Sequence, residues 1–543
     1  MSAYPIINLT HPKTGVITPM GNIPARGIRD IATNAINLTN FHTLTYDHVF
    51  NNHSISALGG FSLESFTNGS LTGYNQGYLG NDLTELDAGS TSPSVSGTSQ
   101  TSRLASYFGR IHYSYKEKYL LESNFRYDGS SRFASDRRWG FFPSFSAGWV
   151  INKERFFKEI NWVDNLKFRA SWGELGNQNI ALYSYINSIS LGQNYSFNGT
   201  VVGGTAITQL SDPTITWETT SVTDIGFDLD ILKSKLSVQF DWYDKRTRDI
   251  LWRVSVPAQV GNLNGPFKNI GSLTNTGVEF TVNYYNHISN FNYNIGGNIA
   301  YLKNKVTNLN RDIYYEGVTI VQEGYPVSSF YGLQAEGIFK TEDEVKKSAY
   351  ISNATQPGDI KYKNVDDSND IIDNNDRVVI GNNIPKYTYS FVLGGSYKGL
   401  DLQLFFQGVQ DVDTYVSGNL AQPYRNGAGV TPEWLTDSWT PEKPNAPLPR
   451  LTTPLYTQNF QTSSYWIQDA SYLRLKNIQL SYELPKSLIK NWNLSKIKLF
   501  VNGQNLLTFS EFVLGDPERN LTRNNMIDYP IAKTISGGVN ITF

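Results

Sequence analysis

The 543-residue chain carries 46 Lys and Arg against 48 Asp and Glu, a formal charge of −2, and this balance lacks the basic stripe of a nucleic-acid-binding protein. Charged residues make up 17% and aromatics 13%, a composition suited to a surface that meets something less polar than water, either lipid or a glycan. The absence of cysteine removes disulfides, thiolate zinc sites and thiol nucleophiles, and the lack of a long apolar run removes a transmembrane helix.

The N-terminal MSAYPIINLTHPKTG has no charged-then-apolar signal-peptide layout. The chain is therefore expected to be cytosolic or to lack its true N-terminus, and the strands favour the second option. A first strand pair is predicted near 40–50 and 54–66, followed by a long connection over 67–102. Residues 119–128 put Tyr119, Leu121, Phe125 and Tyr127 on one face and Glu122, Asn124, Arg126 and Asp128 on the other. Residues 223–231 oppose Ile225, Phe227, Leu229 and Ile231 to Asp224, Gly226, Asp228 and Asp230. In 236–242, Leu236, Val238, Phe240 and Trp242 oppose Ser237, Gln239 and Asp241. The same alternation covers 278–285, 291–301, 387–398, 400–407, 472–484 and 496–505, and a last strand is placed at 531–543.

Several of these segments exceed the usual strand and reach the ~9–11 residues that cross a bilayer when tilted. Short turns near 51–53, 116–118, 232–235, 286–290 and 398–400 alternate with long Gly/Asn/Ser-rich connections. The long ones are 67–102, 174–215, 247–275, 304–386, 409–468 and 506–529. Short periplasmic turns and long extracellular loops describe an outer-membrane barrel, its apolar face on lipid and its polar face on a wet lumen. Tyr119, Phe125, Phe227, Phe240 and Trp242 should face lipid. A soluble glycan-binding sandwich or propeller is the competing architecture, and it gives no reason for such sorting of loops.

The pattern yields roughly fifteen strands, an odd number where bacterial barrels are even. Residues 1–37 then fall in an extracellular loop segment and 38–543 in the barrel. The chain is expected to be the C-terminal portion of a larger antiparallel transmembrane barrel, with strand 40–50 and strand 531–543 left as open edges. The terminal SGGVNITF aligns Val539, Ile541 and Phe543 on one face, the pattern of a closing barrel strand or of an ordinary strand that ends in Phe.

Several stretches resemble the SusC/RagA family of TonB-dependent outer-membrane transporters, typical of Bacteroidetes. They are YDGSSRF (127–133), WGFFPSFSAGW (139–149), DNLKFRASWGELGNQNI (164–180), NTGVEF (275–280) and PGDIKY (357–362). IPKYTYSFVLGGSYKGLDLQLFFQG (384–408), DASYLRLKNIQLSYELP (469–485) and VNGQNLLTF (501–509) continue them in the family's order. The resemblance implies a barrel of about 22 strands with a plugged lumen, of which this chain supplies about the last fifteen. It also implies a SusD-like surface lipoprotein as lid, a TonB complex acting through an N-terminal plug, outer-membrane lipid around the wall, and an oligosaccharide or peptide as ligand.

Of the remaining motifs, KNVDDSNDIIDNNDR (363–377) spaces Asp366, Ser368 and Asp370 like a calcium loop, with Asp373 and Asp376 nearby. Ile371 stands at the glycine position and Arg377 at the glutamate position, so the stretch reads as a solvated loop, with a weak cation site as the alternative. Loop aromatics could stack on sugar rings: Trp217, Tyr331, Tyr424, Trp434, Trp439 and Trp466 above all, with Tyr183, Tyr185, Tyr195, Tyr314 and Tyr315. Packing within loops or an interfacial girdle is the competing use. DGSSRF, GNQN and GDPE (515–518) read as turn chemistry and 441–450 as a stiff Pro-rich segment. The six His form no HExxH, no GxSxG occurs, and no carboxylate pair stands out for glycoside hydrolysis. No cofactor and no enzymatic activity are expected. A passive porin or a surface adhesin is the alternative to an energised importer.

Overall fold

Alternating side chains need a partner for each backbone edge, and the strands find it in their chain neighbours. The computed structural model describes residues 8–10, 17–19 and 26–543, apart from 81, 158, 255, 258, 260–262, 310–313, 368, 419–420, 428, 454–455, 493, 513 and 520–530. Fifteen strands form one sheet, each hydrogen-bonded antiparallel to the next in sequence. They are β1 (Gly27–Phe50), β2 (His53–Gln76), β3 (Thr91–Tyr115), β4 (Tyr119–Ser130) and β5 (Trp139–Val150). β6 (Val163–Asn177), β7 (Glu218–Ile231), β8 (Leu236–Arg248), β9 (Ser272–Ile288) and β10 (Phe291–Asn308) follow. β11 (Tyr387–Tyr397), β12 (Leu400–Gln410), β13 (Tyr472–Glu483), β14 (Lys496–Ser510) and β15 (Thr534–Thr542) complete it. β1 and β15 stand at the two ends of the pairing order, each with one neighbour.

Register keeps the two faces chemically distinct. Phe168, Phe227, Phe240 and Phe280 align across β6–β9, while the adjacent row reads Lys167, Asp228, Gln239 and Thr281. A slip by one residue would exchange these rows, so the apolar face fixes the pairing. Tyr119, Phe125 and Trp242 are exposed on the outer face as expected. Phe227 and Phe240 share that face and cover each other, with ring centroids 5.7 Å apart.

Two belts of aromatics bound the outer face. Tyr107 and Tyr115 on β3, Tyr119 and Tyr127 on β4, Tyr293 and Tyr301 on β10, and Tyr389 and Tyr397 on β11 each lie eight residues apart. Eight residues span ~26 Å of strand, or about 20 Å of height at barrel tilt, close to the ~25 Å apolar band of outer-membrane barrels. One belt includes the Tyr115–Tyr119 stack (6.3 Å) and Tyr284–Tyr293 (5.9 Å). The other includes Tyr127–Trp139 (4.8 Å) and Tyr301–Tyr387 (5.2 Å). Tyrosine suits such belts because its ring is apolar and its hydroxyl prefers water.

The connections sort strictly by end. Those at 51–52, 116–118, 151–162, 232–235, 289–290, 398–399 and 484–495 leave one end of the sheet. Those at 77–90, 131–138, 178–217, 249–271, 309–386, 411–471 and 511–533 leave the other. Among the turns, Lys398 and Gly399 both have positive φ (48° and 89°), the left-handed pair that suits a two-residue hairpin.

One prediction is corrected. The segment 67–102 is not a long connection: β2 runs to Gln76 and β3 starts at Thr91. β1 likewise begins at Gly27, inside the segment 1–37 expected to be loop. These strands have 24, 24 and 25 residues, against 9 to 18 in the rest of the sheet. Both faces of their outer halves meet solvent, so no hydrophobic alternation marked them, and Ser, Thr, Gly and Asn imitated a loop. From Tyr107 back to Thr91 the ladder rises roughly 50 Å along the strand beyond the upper belt. We call this extension the fin.

Candidate functional site

The inner face of the sheet is a polar wall. Arg169 on β6 bridges Asp228 on β7 (2.9 Å) and Asp241 on β8 (2.9 Å). Arg126 binds Asp128 at 2.8 Å and donates to Ser106 Oγ at 2.9 Å. A recess of about 770 Å³ is lined on this side by Arg110, Glu122, Asn124, Arg126, Asp128 and Ser144. Paired charges of both signs give a wettable wall without a large single-sign field.

Above the wall, the longest connections fold together around their own core. Phe330, Leu333, Ile360, Tyr362, Tyr415, Val416, Trp434, Trp466 and Phe512 are buried in one cluster drawn from 309–386, 411–471 and the start of 511–533. A four-stranded sheet (Tyr314–Glu316, Thr319–Val321, Ser329–Leu333, Arg377–Gly381) supports it. The PGDIKY stretch locks two of these connections. Asp359 is 1% exposed and accepts from Arg450 Nε (2.6 Å), Tyr456 OH (2.5 Å), Asn459 Nδ2 (3.0 Å) and Gln356 N (2.9 Å). A carboxylate so buried is tolerable only because its lone pairs are filled. Burial and the bond to Asp359 push the Tyr456 phenol up to about 12. Nearer the rim, burial raises the Asp413 carboxyl, and Asp469 and Asp411 add to the effect against the Asn382 N–H that it accepts.

GDPE has a partner of its own. Arg474 on β13, 2% exposed, donates to Asp516 (2.6 Å), Glu518 (2.8 Å) and Thr508 (2.9 Å), and Lys476 binds Glu518 at 2.6 Å. These anchoring roles went unread in the sequence. The available signal was two cations, Arg474 and Lys476, two acids, Asp516 and Glu518, and a strand between them.

The loop aromatics separate sharply. Trp434 and Trp466 lie in the loop core with their indole N–H groups on the carbonyls of Ala421 (3.1 Å) and Asn459 (3.0 Å). Trp217 packs between Phe133 and Phe142 and donates to Arg138 O at 2.9 Å. These three have no free ring face for a sugar, because the rings supply the apolar contacts that let long loops hold a shape. Trp439 is half-buried against Gly358, and Tyr331 is half-buried beside Tyr315, 5.6 Å away. Tyr424, Tyr183 and Tyr195 are exposed, and Tyr185 is half-buried. The side chain of Tyr314 lies outside the described residues.

In the acidic stretch, Asp376 is fully buried and accepts from the N–H groups of Val365 (2.7 Å) and Asp373 (2.8 Å). Asp373 caps the turn 374–376 through Asn375 N at 2.7 Å. Both carboxylates thus serve the loop's own backbone, while Asp366 and Asp370 lie exposed and Ser368 is outside the described residues. Among the described residues no three acidic or His side chains converge as a metal site.

Residues 21–506 match the family model described as TonB dependent receptor-like, beta-barrel. TonB-dependent receptor P3 of Formosa agariphila is 30% identical over 97% of this chain and 55% of its own length. TonB-dependent receptor SusC of Bacteroides thetaiotaomicron is 28% identical over 81% of this chain and 44% of its own. The chain spans about half the length of the curated relatives it matches. A solved structure titled "Structure of the RagAB peptide transporter" superposes with a TM-score of 0.83 at 24% identity, over 95% of this chain and 56% of that one. A fifteen-strand ladder, a belted outer face, a polar wall and a model match over most of its length together make this chain a member of the TonB-dependent receptor β-barrel family, an outer-membrane protein of a Gram-negative bacterium.

Proposed function

We propose that the protein to which this chain belongs imports bulky nutrients across the outer membrane, driven by TonB, with glycan oligosaccharides as cargo. The observation that carries this reading is the family's barrel ladder with a polar inner wall beneath a self-packed loop assembly. Charge pairs such as Arg169 with Asp228 and Asp241 keep that wall wet for a hydrophilic solute. The loop assembly offers a shaped platform against which a SusD-like surface lipoprotein would close, trapping ligand between lid and barrel. A plug in the lumen, pulled by TonB, would then open the path. A peptide importer of the same architecture is the second reading, favoured by the structural neighbour whose title calls it a peptide transporter.

Growth and uptake on defined oligosaccharides, with and without TonB, test this. Uptake should collapse in the TonB deletion and in a deletion of the partner lipoprotein. Uptake that persists without TonB would make the protein a passive porin. Peptide-dependent and glycan-independent uptake would establish the second reading.

A further inference from the structure

The fin has two faces, and one of them continues the lumen wall. Phe41 stacks on Phe108 at 5.5 Å, and Phe108 pairs across the ladder with Arg126 of the polar wall. From that level upward, three-residue rungs follow one another on the same face across β1, β2 and β3. They include Asn37–Phe66–Ser102, Ala35–Asn68–Gln100 and Thr33–Ser70–Thr98. Over this height only Arg29 and Glu64 are charged on that face, and Arg29 lies over the Tyr74 ring at 5.7 Å. Phe66 stands 44% exposed among hydroxyls and side-chain amides. The neighbouring connection 178–217 has no charged residue between Glu174 and Asp212, and it touches the fin where the Tyr183 hydroxyl meets the backbone of Thr101.

We infer that the lumen-side face of the fin is a ligand-binding vestibule wall selective for uncharged oligosaccharides over anionic glycans. Hydroxyls and carboxamides each supply donors and acceptors without net charge, matching a polyol that offers both. An exposed aromatic ring gives the flat apolar face of a sugar ring a place to lie. A sulfated or uronate glycan would leave water with a single exposed cation on this face to meet it, Arg29, and with Glu64 to repel it. This inference rests on the import reading only in that the vestibule lies on the ligand's path.

Full-length receptor in detergent is titrated calorimetrically with mannohexaose, maltohexaose and laminarihexaose, and with hexagalacturonate. At least one neutral hexaose should bind, and hexagalacturonate should bind at least about tenfold more weakly. The paired variant N68A/Q100A should lose roughly threefold to tenfold in affinity for the neutral sugar, the scale of one or two uncharged hydrogen bonds. Phe66→Ala should lose a similar factor and Phe66→Trp should retain binding, with heat-modifiable gel mobility confirming a folded barrel in each. Unchanged affinity in both N68A/Q100A and F66A, preference for hexagalacturonate, or no binding of any neutral hexaose would overturn the inference. If TonB-dependent uptake survives in those cases, the import reading stands and only the vestibule assignment falls.

Discussion

Asp359 shows how a single buried charge organises a loop assembly. Its four donors come from both connections, so removing the carboxylate leaves Arg450 poorly exposed and without its counter-ion. Asp359→Ala should cost the loop unit about 3–5 kcal/mol, the usual penalty for breaking one side of a buried pair. Protease cleavage within 339–363 and 437–466 should accelerate while the barrel strands stay resistant. At the other end of the molecule, Glu154 accepts from Tyr119 OH (2.6 Å), Lys118 Nζ (3.1 Å) and Trp149 Nε1 (3.3 Å). The Tyr119 and Lys118 bonds, in that order, hold its carboxyl at about 2, well below the usual carboxylate range. A depressed value means that this stabilisation is present above the unfolded pKa of about 4.3 and fades as pH falls toward 2. Wild type should therefore melt above E154Q at neutral pH, and the two melting temperatures should converge in acid.

The strands carry the same logic at larger scale. Phe240 lies mid-band on the outer face and Gln239 on the inner one. Phe240→Arg should destabilise folding into liposomes by about 2–4 kcal/mol, while Gln239→Arg should cost far less. Equal costs would mean that the faces have been assigned wrongly. Much of this architecture was legible: Phe227 and Leu229 set against Asp228 and Asp230 announce a wall with two unlike faces, and short turns alternating with long connections announce its two ends. The bulge in β13 was not read: the alternation expected over 472–484 is one continuous run, whereas the register shifts between Leu475 and Asn477, and Ile478, Leu480 and Tyr482 follow one residue out of phase with Leu473 and Leu475. The fin was not legible, because a strand wetted on both faces has no alternation to read. The loop tryptophans were not legible either, since outside a regular element nothing in the spacing of Trp434 and Trp466 tells core from ligand platform. Asp359 and Arg450 meet across 91 residues, and only the folded chain reveals such a contact.

As a whole, the molecule combines a wall with an apolar exterior and a loop assembly that packs on itself. The exposed apolar outer face of the strands is the surface that meets the bilayer, and among the described residues no helix is long and apolar enough to cross a membrane. Detergent or lipid should be required to keep the purified chain dispersed, and a chain monomeric in plain buffer would contradict the belted exterior. The connection 178–217 behaves differently from its neighbours. Its hairpins, Ser188–Leu191 with Thr205–Gln209 and Tyr195–Phe197 with Thr200–Val202, expose Leu191, Tyr195, Phe197 and Val201. Brief chymotrypsin treatment should cut first at Tyr195 or Phe197, read by mass spectrometry, and later within the core of 309–386 and 411–471.

Arg474 makes one of the last strands depend on a segment far along the chain. Its side chain sits in a sealed part of the wall, yet the carboxylates that neutralise it, Asp516 and Glu518, arrive 42 and 44 residues later. Until that segment folds back, β13 holds an unanswered cation, which disfavours seating it alone. The charge therefore ties β13 to a stretch beyond β14: losing Asp516 and Glu518 would weaken the seating of β13 as well as their own loop.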